Sequence, residues 1–396
     1  MKNAIVETAP SAITQDVETE EFHTGQVLTI SGGHFFNDIY TSLVPALLPV
    51  IIDKLSLSLA MAGSLTAIQQ VPGLINPFIG YLADRVSLRY FVILAPAITA
   101  TLIGGLGFAP SYLALLVIFF LTGISVAAFH APAPAMIGRI TGRQVGKGMS
   151  YFMAAGELAR TLGPLVAVWA ISLWTLDGIW RLSVIGWATS LVLYWRLRSV
   201  PARTNKNAGL RQAFPAMRRL FIPIMVFTLL RNFLVECLVT YLPVYMDSKG
   251  ASLWVAGASL SILELAGVAG ALSSGTFSDR LGRKSILLFA TLGSALIAFL
   301  FLRLDGWVLV PILLALGFTA LSTTPVLLAM VQEHLPEHRA LGNGTFMLIS
   351  FALRPIAILA IGFIGDHYGL TTAFFASAVL SLLAAPAVLL LPDLNK

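Results

Sequence analysis

The chain has 396 residues, of which 57% are hydrophobic and only 11% charged, with a formal net charge of +6. A soluble chain is typically near 25% charged, and so little charge would leave wide apolar patches on a water-exposed surface. Ordinary soluble domains, fibrous chains and disordered chains are therefore excluded, and an integral membrane protein is expected. One cysteine, Cys237, excludes a disulfide framework and a cysteine-based metal cluster.

In chain order, residues 1–23 come first, polar and acidic, with Glu7, Asp16, Glu18, Glu20 and Glu21. They lack the basic start and apolar core of a secretory signal and read as a disordered cytoplasmic tail. A first half, 24–195, holds apolar stretches near 27–52, 59–82, 90–108, 112–138, 149–173 and 179–195. A polar segment, 196–220, reads as a cytoplasmic linker. A second half, 221–392, holds stretches near 221–245, 254–277, 285–302, 307–331, 344–364 and 372–391. A helical span needs about 20 apolar residues, so the expectation is an all-α membrane protein of twelve transmembrane helices in two six-helix halves.

Basic residues test the orientation, because they concentrate in cytoplasmic loops. With both termini inside, the cytoplasmic segments hold Lys2, Arg85, Arg89, Arg139, Arg143, Lys147, Arg280, Arg283, Lys284, Arg339 and Lys396. The linker adds Arg196, Arg198, Arg203, Lys206, Arg211, Arg218 and Arg219. The outer loops hold only Lys54, Arg181, Lys249 and Arg303. This bias predicts both termini in the cytoplasm. It also accounts for the basic balance without nucleic acid.

The halves repeat. Gly80-Tyr-Leu-Ala-Asp84-Arg85-Val-Ser-Leu-Arg89 closes the second stretch, and Gly275-Thr-Phe-Ser-Asp279-Arg280-Leu-Gly282-Arg283-Lys284 closes the eighth, 195 residues later. Gly146-Lys-Gly148 and Gly342-Asn-Gly344 echo it at an offset of 196. Parallel six-span repeats are one transporter architecture. Carboxylates beside basic groups at helix ends form charge-assisted contacts that can lock one helix arrangement and release in another. Gly80, Asp84, Arg85, Arg89, Gly275, Asp279, Arg280, Gly282 and Arg283 are the gating candidates. A plain topology signal is the alternative.

The G-x-x-x-D-R-x-G-R-[RK] pattern resembles the signature loop of the major facilitator superfamily. The second copy matches fully, while the first has Ser87 for the small glycine and Leu88 for a basic residue. His34-Phe-Phe-Asn37-Asp38, Phe129-His130 and the run from Gly156 to Gly163-Pro164 are similar to the bacterial fosmidomycin-resistance branch of drug exporters. That branch tends to carry an acid two places after the fourth-span histidine, where this chain has Pro132. Gly163-Pro164 is also similar to the fifth-span motif of proton antiporters, without its trailing glycine pair. The resemblance implies a multi-pass transporter of the bacterial inner membrane, an antiporter rather than an enzyme, with small molecules and protons as its partners.

Ionisable groups at membrane depth are costly and are functional candidates by default. Asp38, Glu157, Arg160, Arg231, Glu236, Glu264 and Arg354 lie near the centres of their stretches. Helical spacing puts His34, Asn37 and Asp38 on one face. A carboxylate within reach of an imidazole can pass a proton, so Asp38 is the first proton-coupling candidate and His34 its partner. A structural hydrogen-bond network is the alternative. Glu157, Glu236 and Glu264 are further proton-coupling candidates. Glu157 and Arg160, three apart, make either an intrahelical pair or a gate. Gly156, Arg160 and Gly163 share a stripe open to close approach by a neighbour.

Arg231 and Arg354 could hold a substrate anion, since guanidinium binds carboxylate or phosphonate through two parallel bonds. Neutralisation by Glu236 and Glu264 is the alternative. Asn232 shares a face with Glu236. His130 sits where Pro132 and Pro134 should break the fourth span. Tyr40, Gln69 and Gln70 complete the candidate substrate-binding set, with packing or interface anchoring the alternative for Tyr40 and hydrogen bonds across helices the alternative for Gln69 and Gln70.

No phosphate-binding loop, H-E-x-x-H or G-x-S-x-G pattern is present, and no cofactor or metal is expected. The expectation is a monomeric, proton-coupled exporter of small amphiphilic or anionic compounds, working by alternating access in the lipid bilayer. Proton-coupled uptake or exchange of an organic anion is the alternative.

Overall fold

The computed structural model describes residues 22–76, 78–79, 88–141, 145–198, 214–335 and 339–392. Among these residues the regular structure is helical throughout. The helices of the first half are α1 (Thr24–Leu55), α2 (Leu59–Gln70, extended by a 3-10 turn to Ile75), α3 (Arg89–Gly104), α4 (Tyr112–His130), α5 (Ala133–Ile140), α6 (Val145–Gly178) and α7 (Ser183–Leu197). Those of the second half are α8 (Phe214–Thr240), α9 (Leu242–Ser248), α10 (Leu253–Leu281), α11 (Arg283–Phe301), α12 (Leu309–Ala320), α13 (Thr323–His334), α14 (Arg339–Tyr368), α15 (Leu370–Leu382) and α16 (Ala385–Leu389).

Local chemistry sets these boundaries. Ser58, Ser111 and Ser252 cap α2, α4 and α10, their hydroxyls accepting the first-turn amides of Met61, Ala114 and Val255. Gly282 turns the chain from α10 into α11 at φ +91°, where a side chain would be strained. The predicted break after His130 is present. Pro132 and Pro134 lack the amide hydrogens that would continue α4, and the chain restarts as α5. The second half breaks at the matching place, where Leu321 and Ser322 separate α12 from α13.

Ten segments among the described residues are long and apolar enough to cross a membrane. One of them, Lys147–Leu197, has 51 residues. At helical rise that is about 75 Å, more than twice a hydrocarbon core of about 30 Å. The segment breaks at Thr175, where φ is +58°. Leu59–Ile75 is a shorter apolar helix. The arrangement has room for the expected twelve crossings. Signature-loop residues 80–87 and most of the linker lie outside the described residues.

Packing determines where the halves meet. One large core joins residues of both halves, among them Leu43, Leu47 and Leu65 with Leu238, Tyr241, Leu260 and Ile358. A second core is confined to the first half, with Val27, Ile30, Phe129, Ile137 and Leu197. A third is confined to the second half, with Leu220, Ile224, Val326, Phe346 and Val388. The two separate cores lie at the helix ends nearest the chain termini, and the shared core lies at the opposite ends. Among the described residues, buried cores therefore join the halves on one side of the membrane layer and stay within each half on the side of the termini, which gives a wedge.

Candidate functional site

Between the shared core and the two separate cores lies a layer of buried polar groups. Its centre is on α1, which runs from Ile30 in the first-half core to Tyr40 and Leu43 in the shared core. One turn between them carries His34 and Asp38. Asp38 Oδ2 lies 3.2 Å from His34 Nε2 and 3.3 Å from His130 Nε2. The two Nε2 atoms are 3.2 Å apart. His130 is the last residue of α4, and its ring is held against its own helix by the Val126 carbonyl.

Each group is held from behind. His34 Nδ1 donates to the Phe152 carbonyl at 2.7 Å, and His130 Nδ1 to the Val126 carbonyl at 3.0 Å. Asn37 Nδ2 donates to Asp38 Oδ1 at 3.0 Å, and the Thr99 hydroxyl donates to Asn37 Oδ1 at 3.1 Å. The His34 ring stacks on Phe152 at 3.9 Å between centroids, and Phe129 lies near-parallel to both rings, 5.8 Å from His34 and 6.4 Å from Phe152. The small-residue stripe of α6 makes room for this. A Cβ on Gly156 would sit 2.5 Å from His34 Cε1, and one on Gly163 would sit 2.4 Å from Ser42 Cβ. The neighbour that the stripe admits is α1.

Across the wedge, Arg160 pairs with Glu157 on its own helix and reaches Glu264 of α10 at 3.7 Å. The intrahelical pair thus extends from one half to the other. Within the second half, Arg354 Nε donates to the buried Glu236 carboxylate at 2.6 Å, and Thr240 also donates to it. Asn232 is half-buried, and its Nδ2 has no hydrogen-bond partner among the described residues. Gln69 and Gln70, at the end of α2, are half-buried, and the Gln69 backbone packs against Gly123.

Two expected ligand-facing residues are placed elsewhere. Tyr40 is 2% exposed and its hydroxyl donates to the Leu182 carbonyl at 2.7 Å, so it ties α1 to the start of α7. Arg231 is also 2% exposed and touches neither Glu236 nor Glu264. It donates instead to the Ser294 and Ser381 hydroxyls at 2.9 and 3.2 Å and to the Thr319 and Ala320 carbonyls at 3.1 and 2.9 Å. Those carbonyls close α12, where the helix break leaves acceptors without amide partners. The guanidinium takes their place.

At the second signature loop, Arg283 forks between Asp279 at 2.5 Å and Glu333 of α13 at 2.6 Å. It also donates to the Ser278 hydroxyl and the Gly275 carbonyl. Arg280 is exposed. Of the first copy, Gly80, Asp84 and Arg85 lie outside the described residues, while Arg89 starts α3 with its guanidinium over the Tyr90 ring.

Sequence reasoning missed the contacts that fuse the halves on the far side. Asp366, at the end of α14, accepts the amides of Leu59 and Ala60 at 2.6 and 2.8 Å, which caps α2 across the two halves. The Tyr241 hydroxyl donates to Ile358 O at 2.9 Å and lies 3.3 Å from Leu59 O. The only sequence signal was the Ser58 cap at the start of α2.

The Major Facilitator Superfamily family model matches residues 30–358 and again 274–396. The chain belongs to the major facilitator superfamily. It is 26% identical over 375 residues to an uncharacterized MFS-type transporter, YfnC, of Bacillus subtilis (strain 168), covering 91% of each chain. It is 25% identical over 377 residues to the fosmidomycin resistance protein of Escherichia coli (strain K12), covering 92% of each. Among solved structures, a bacterial homolog of the human lysosomal transporter Spinster, inward-facing and unoccupied, superposes with a TM-score of 0.78 at 15% identity, over 92% of this chain and 95% of that one. A D-xylose-proton symporter superposes at 0.73 and 17% identity, over 94% and 98%. These structures share the fold. As a superfamily member, the chain is a multi-pass membrane transporter.

Proposed function

We propose that this transporter is a proton-coupled exporter of small amphiphilic or anionic compounds of the drug class. It sits in a bacterial inner membrane as a monomer with both termini in the cytoplasm. The observation that carries the reading is the contact of one carboxylate, Asp38, with two imidazoles, His34 and His130, at membrane depth. The cluster stands where the halves part, beside the Arg160–Glu264 bridge between them. A carboxylate and two imidazoles can take up and release protons as the halves rock, which a permanently charged guanidinium cannot do.

Substrate entering from the open side would displace Glu157 or Glu264 from Arg160 while Asp38 gives up its proton to that same side, and Asp38 would be protonated again from the far side once the wedge has reversed. Gln69, Gln70, Asn232 and Arg354 line the same layer and are the proposed substrate contacts, with Glu236 neutralising Arg354. Full-length similarity to the fosmidomycin resistance protein supports the drug class. So does 30% identity over 148 residues, 35% of each chain, to the multidrug resistance protein MdtG of Klebsiella pneumoniae (strain 342). The basic bias of the expected inner loops supports the orientation.

The test uses proteoliposomes with an imposed pH gradient and fosmidomycin as the first candidate. Gradient-driven accumulation that disappears in Asp38→Asn, while counterflow persists, supports the reading. Accumulation that is unchanged after the gradient is collapsed defeats the coupling.

A further inference from the structure

The three atoms at the centre of the site can be satisfied by protons only with two imidazolium rings in contact, and a single cation offers another solution. Backbone carbonyls only accept, so the Nδ1 atoms facing Phe152 O and Val126 O must both carry hydrogen. In the neutral rings both Nε2 atoms are then bare lone pairs. They face each other at 3.2 Å and face the Asp38 carboxylate oxygen at 3.2 and 3.3 Å. With no added proton, three acceptors crowd together. One proton satisfies one imidazole–carboxylate edge and leaves the other unpaired. Two protons let both rings donate to Asp38 Oδ2 but hold two cationic rings 3.2 Å apart at Nε2. One cation at the centre satisfies all three edges at once.

The size of the triangle fits such a cation. For zinc–nitrogen and zinc–oxygen bonds of about 2.0–2.1 Å at tetrahedral angles, neighbouring ligand atoms lie about 3.3 Å apart. The surroundings fit as well. Metal-bound imidazoles usually donate their other nitrogen to a carbonyl or carboxylate, and ligating carboxylates are themselves hydrogen-bonded. Both features are present, through Phe152 and Val126 for the rings and through Asn37 and Thr99 for Asp38. The His130 side chain keeps 28% of its surface, on the approach to the site, while those of His34 and Asp38 keep 5% and 15%.

We propose that His34 Nε2, His130 Nε2 and Asp38 Oδ2 form a three-ligand site for a divalent transition-metal ion of the zinc and cobalt kind. The fourth position is open to water from the wedge. The ion would tie α1 to the break after α4. The site uses the three groups of the proposed proton relay, so a bound ion would compete with protons there, while its binding is measured on detergent-solubilised protein with no gradient.

The experiment titrates Co²⁺, and separately Zn²⁺, into full-length protein purified on a histidine-free tag. Co²⁺ is expected to produce the intense visible bands of a tetrahedral site, and Zn²⁺ to displace it and raise the melting temperature. Both signals should vanish in His130→Ala, which removes a part-exposed ring, and in Asp38→Asn, which keeps the side-chain shape. Asn37→Ala should weaken binding about tenfold, as loss of an outer-shell partner typically does. His367→Ala, at the exposed end of α14, should leave the signals unchanged. A pale spectrum of hydrated cobalt with no melting shift would overturn the proposal. So would signals that survive in both His130→Ala and Asp38→Asn. Absence of metal binding would leave the proton-relay reading of the same three groups standing, whereas tight binding would mean that the ion competes with protons there.

Discussion

In the first half, α1 meets the break after α4 through His34, Asp38 and His130; in the second, α8 meets the break after α12 through Arg231. Arg231 follows His34 by 197 residues, close to the offset of the sequence repeat. The same architectural joint is therefore filled twice with different chemistry. The first joint holds groups whose charge can change and whose partners are charged or titratable. The second holds a group whose charge is fixed and whose partners are hydroxyls and carbonyls. A duplicated scaffold needs only one switch, and the other joint is free to become an anchor.

Replacing Arg231 gives the largest expected effect. Arg231→Met removes four donated hydrogen bonds and leaves the Ala320 carbonyl unpartnered in an apolar layer. Each buried acceptor left unsatisfied costs about 1–3 kcal/mol, so a loss of several kcal/mol is expected. Arg231→Lys keeps the charge but cannot span both hydroxyls and both carbonyls, so it should recover only part of the loss. Thermal unfolding in detergent, followed on Cys237 as the buried thiol is exposed, measures both. An Arg231→Lys protein of full stability that fails to transport would break the anchor reading and make the two joints functionally alike.

Gly156→Ala tests the first joint. The added methyl would press on the His34 ring at 2.5 Å, and overpacking of this kind costs about 1–3 kcal/mol. Because the ring is stacked on Phe152 and bonded to its carbonyl, the added methyl is expected to push α1 away from α6, which would carry His34 off Asp38. Both stability and gradient-driven transport should fall. A loss of stability with transport intact would show that the contact between His34 and Asp38 is not needed for coupling.

The sequence made some of this joint legible. His34, Asn37 and Asp38 share a helical face by spacing alone, and the prolines after His130 announce the break. The stripe of Gly156 and Gly163 announced close approach without saying which helix approaches. Arg231 was misread because an intramembrane arginine is expected to seek a carboxylate, and Glu236, five residues away, with Glu264 on the next span looked sufficient. The carbonyls that hold it are freed by a helix break 88 residues later, and backbone acceptors leave no trace in residue identity. Asp366 was passed over for a similar reason. It lies at a membrane face, where acids are ordinary, and its partners are two amides of another helix.

Asp366 belongs to neither joint but to the seam between the halves, and its expected effect is intermediate. A carboxylate at a helix N-terminus typically contributes about 0.5–2 kcal/mol. Asp366→Asn keeps an acceptor but loses the charge, and should favour opening of the fused side. The native cysteine is buried, so spin labels can be placed at the outer ends of α2 and α14 without removing it. Distances measured between them should lengthen or broaden in Asp366→Asn. An unchanged distribution would mean that Tyr241 and the shared core hold the seam without the cap.

The smallest effect is expected at the signature loop, where one of the differences between the halves is the residue that carries the ion pairs. Arg283 bridges Asp279 and Glu333 in the second half, and the repeat places Leu88 at the equivalent position in the first. Asp279 and Glu333 keep 63% and 32% of their side-chain surface, and pairs that open to water are worth about 0–1 kcal/mol. Glu333→Gln should therefore move the melting temperature little. Arg283→Leu, which copies the first half, should move it somewhat more, because it also removes the bonds to Ser278 and Gly275. The two variants separate a topology signal from a lock. A topology signal needs only the positive charge, so Glu333→Gln should transport normally and Arg283→Lys should match it. A lock needs the fork between α10 and α13, so Glu333→Gln and Arg283→Lys should change the rate of transport together while stability stays nearly constant.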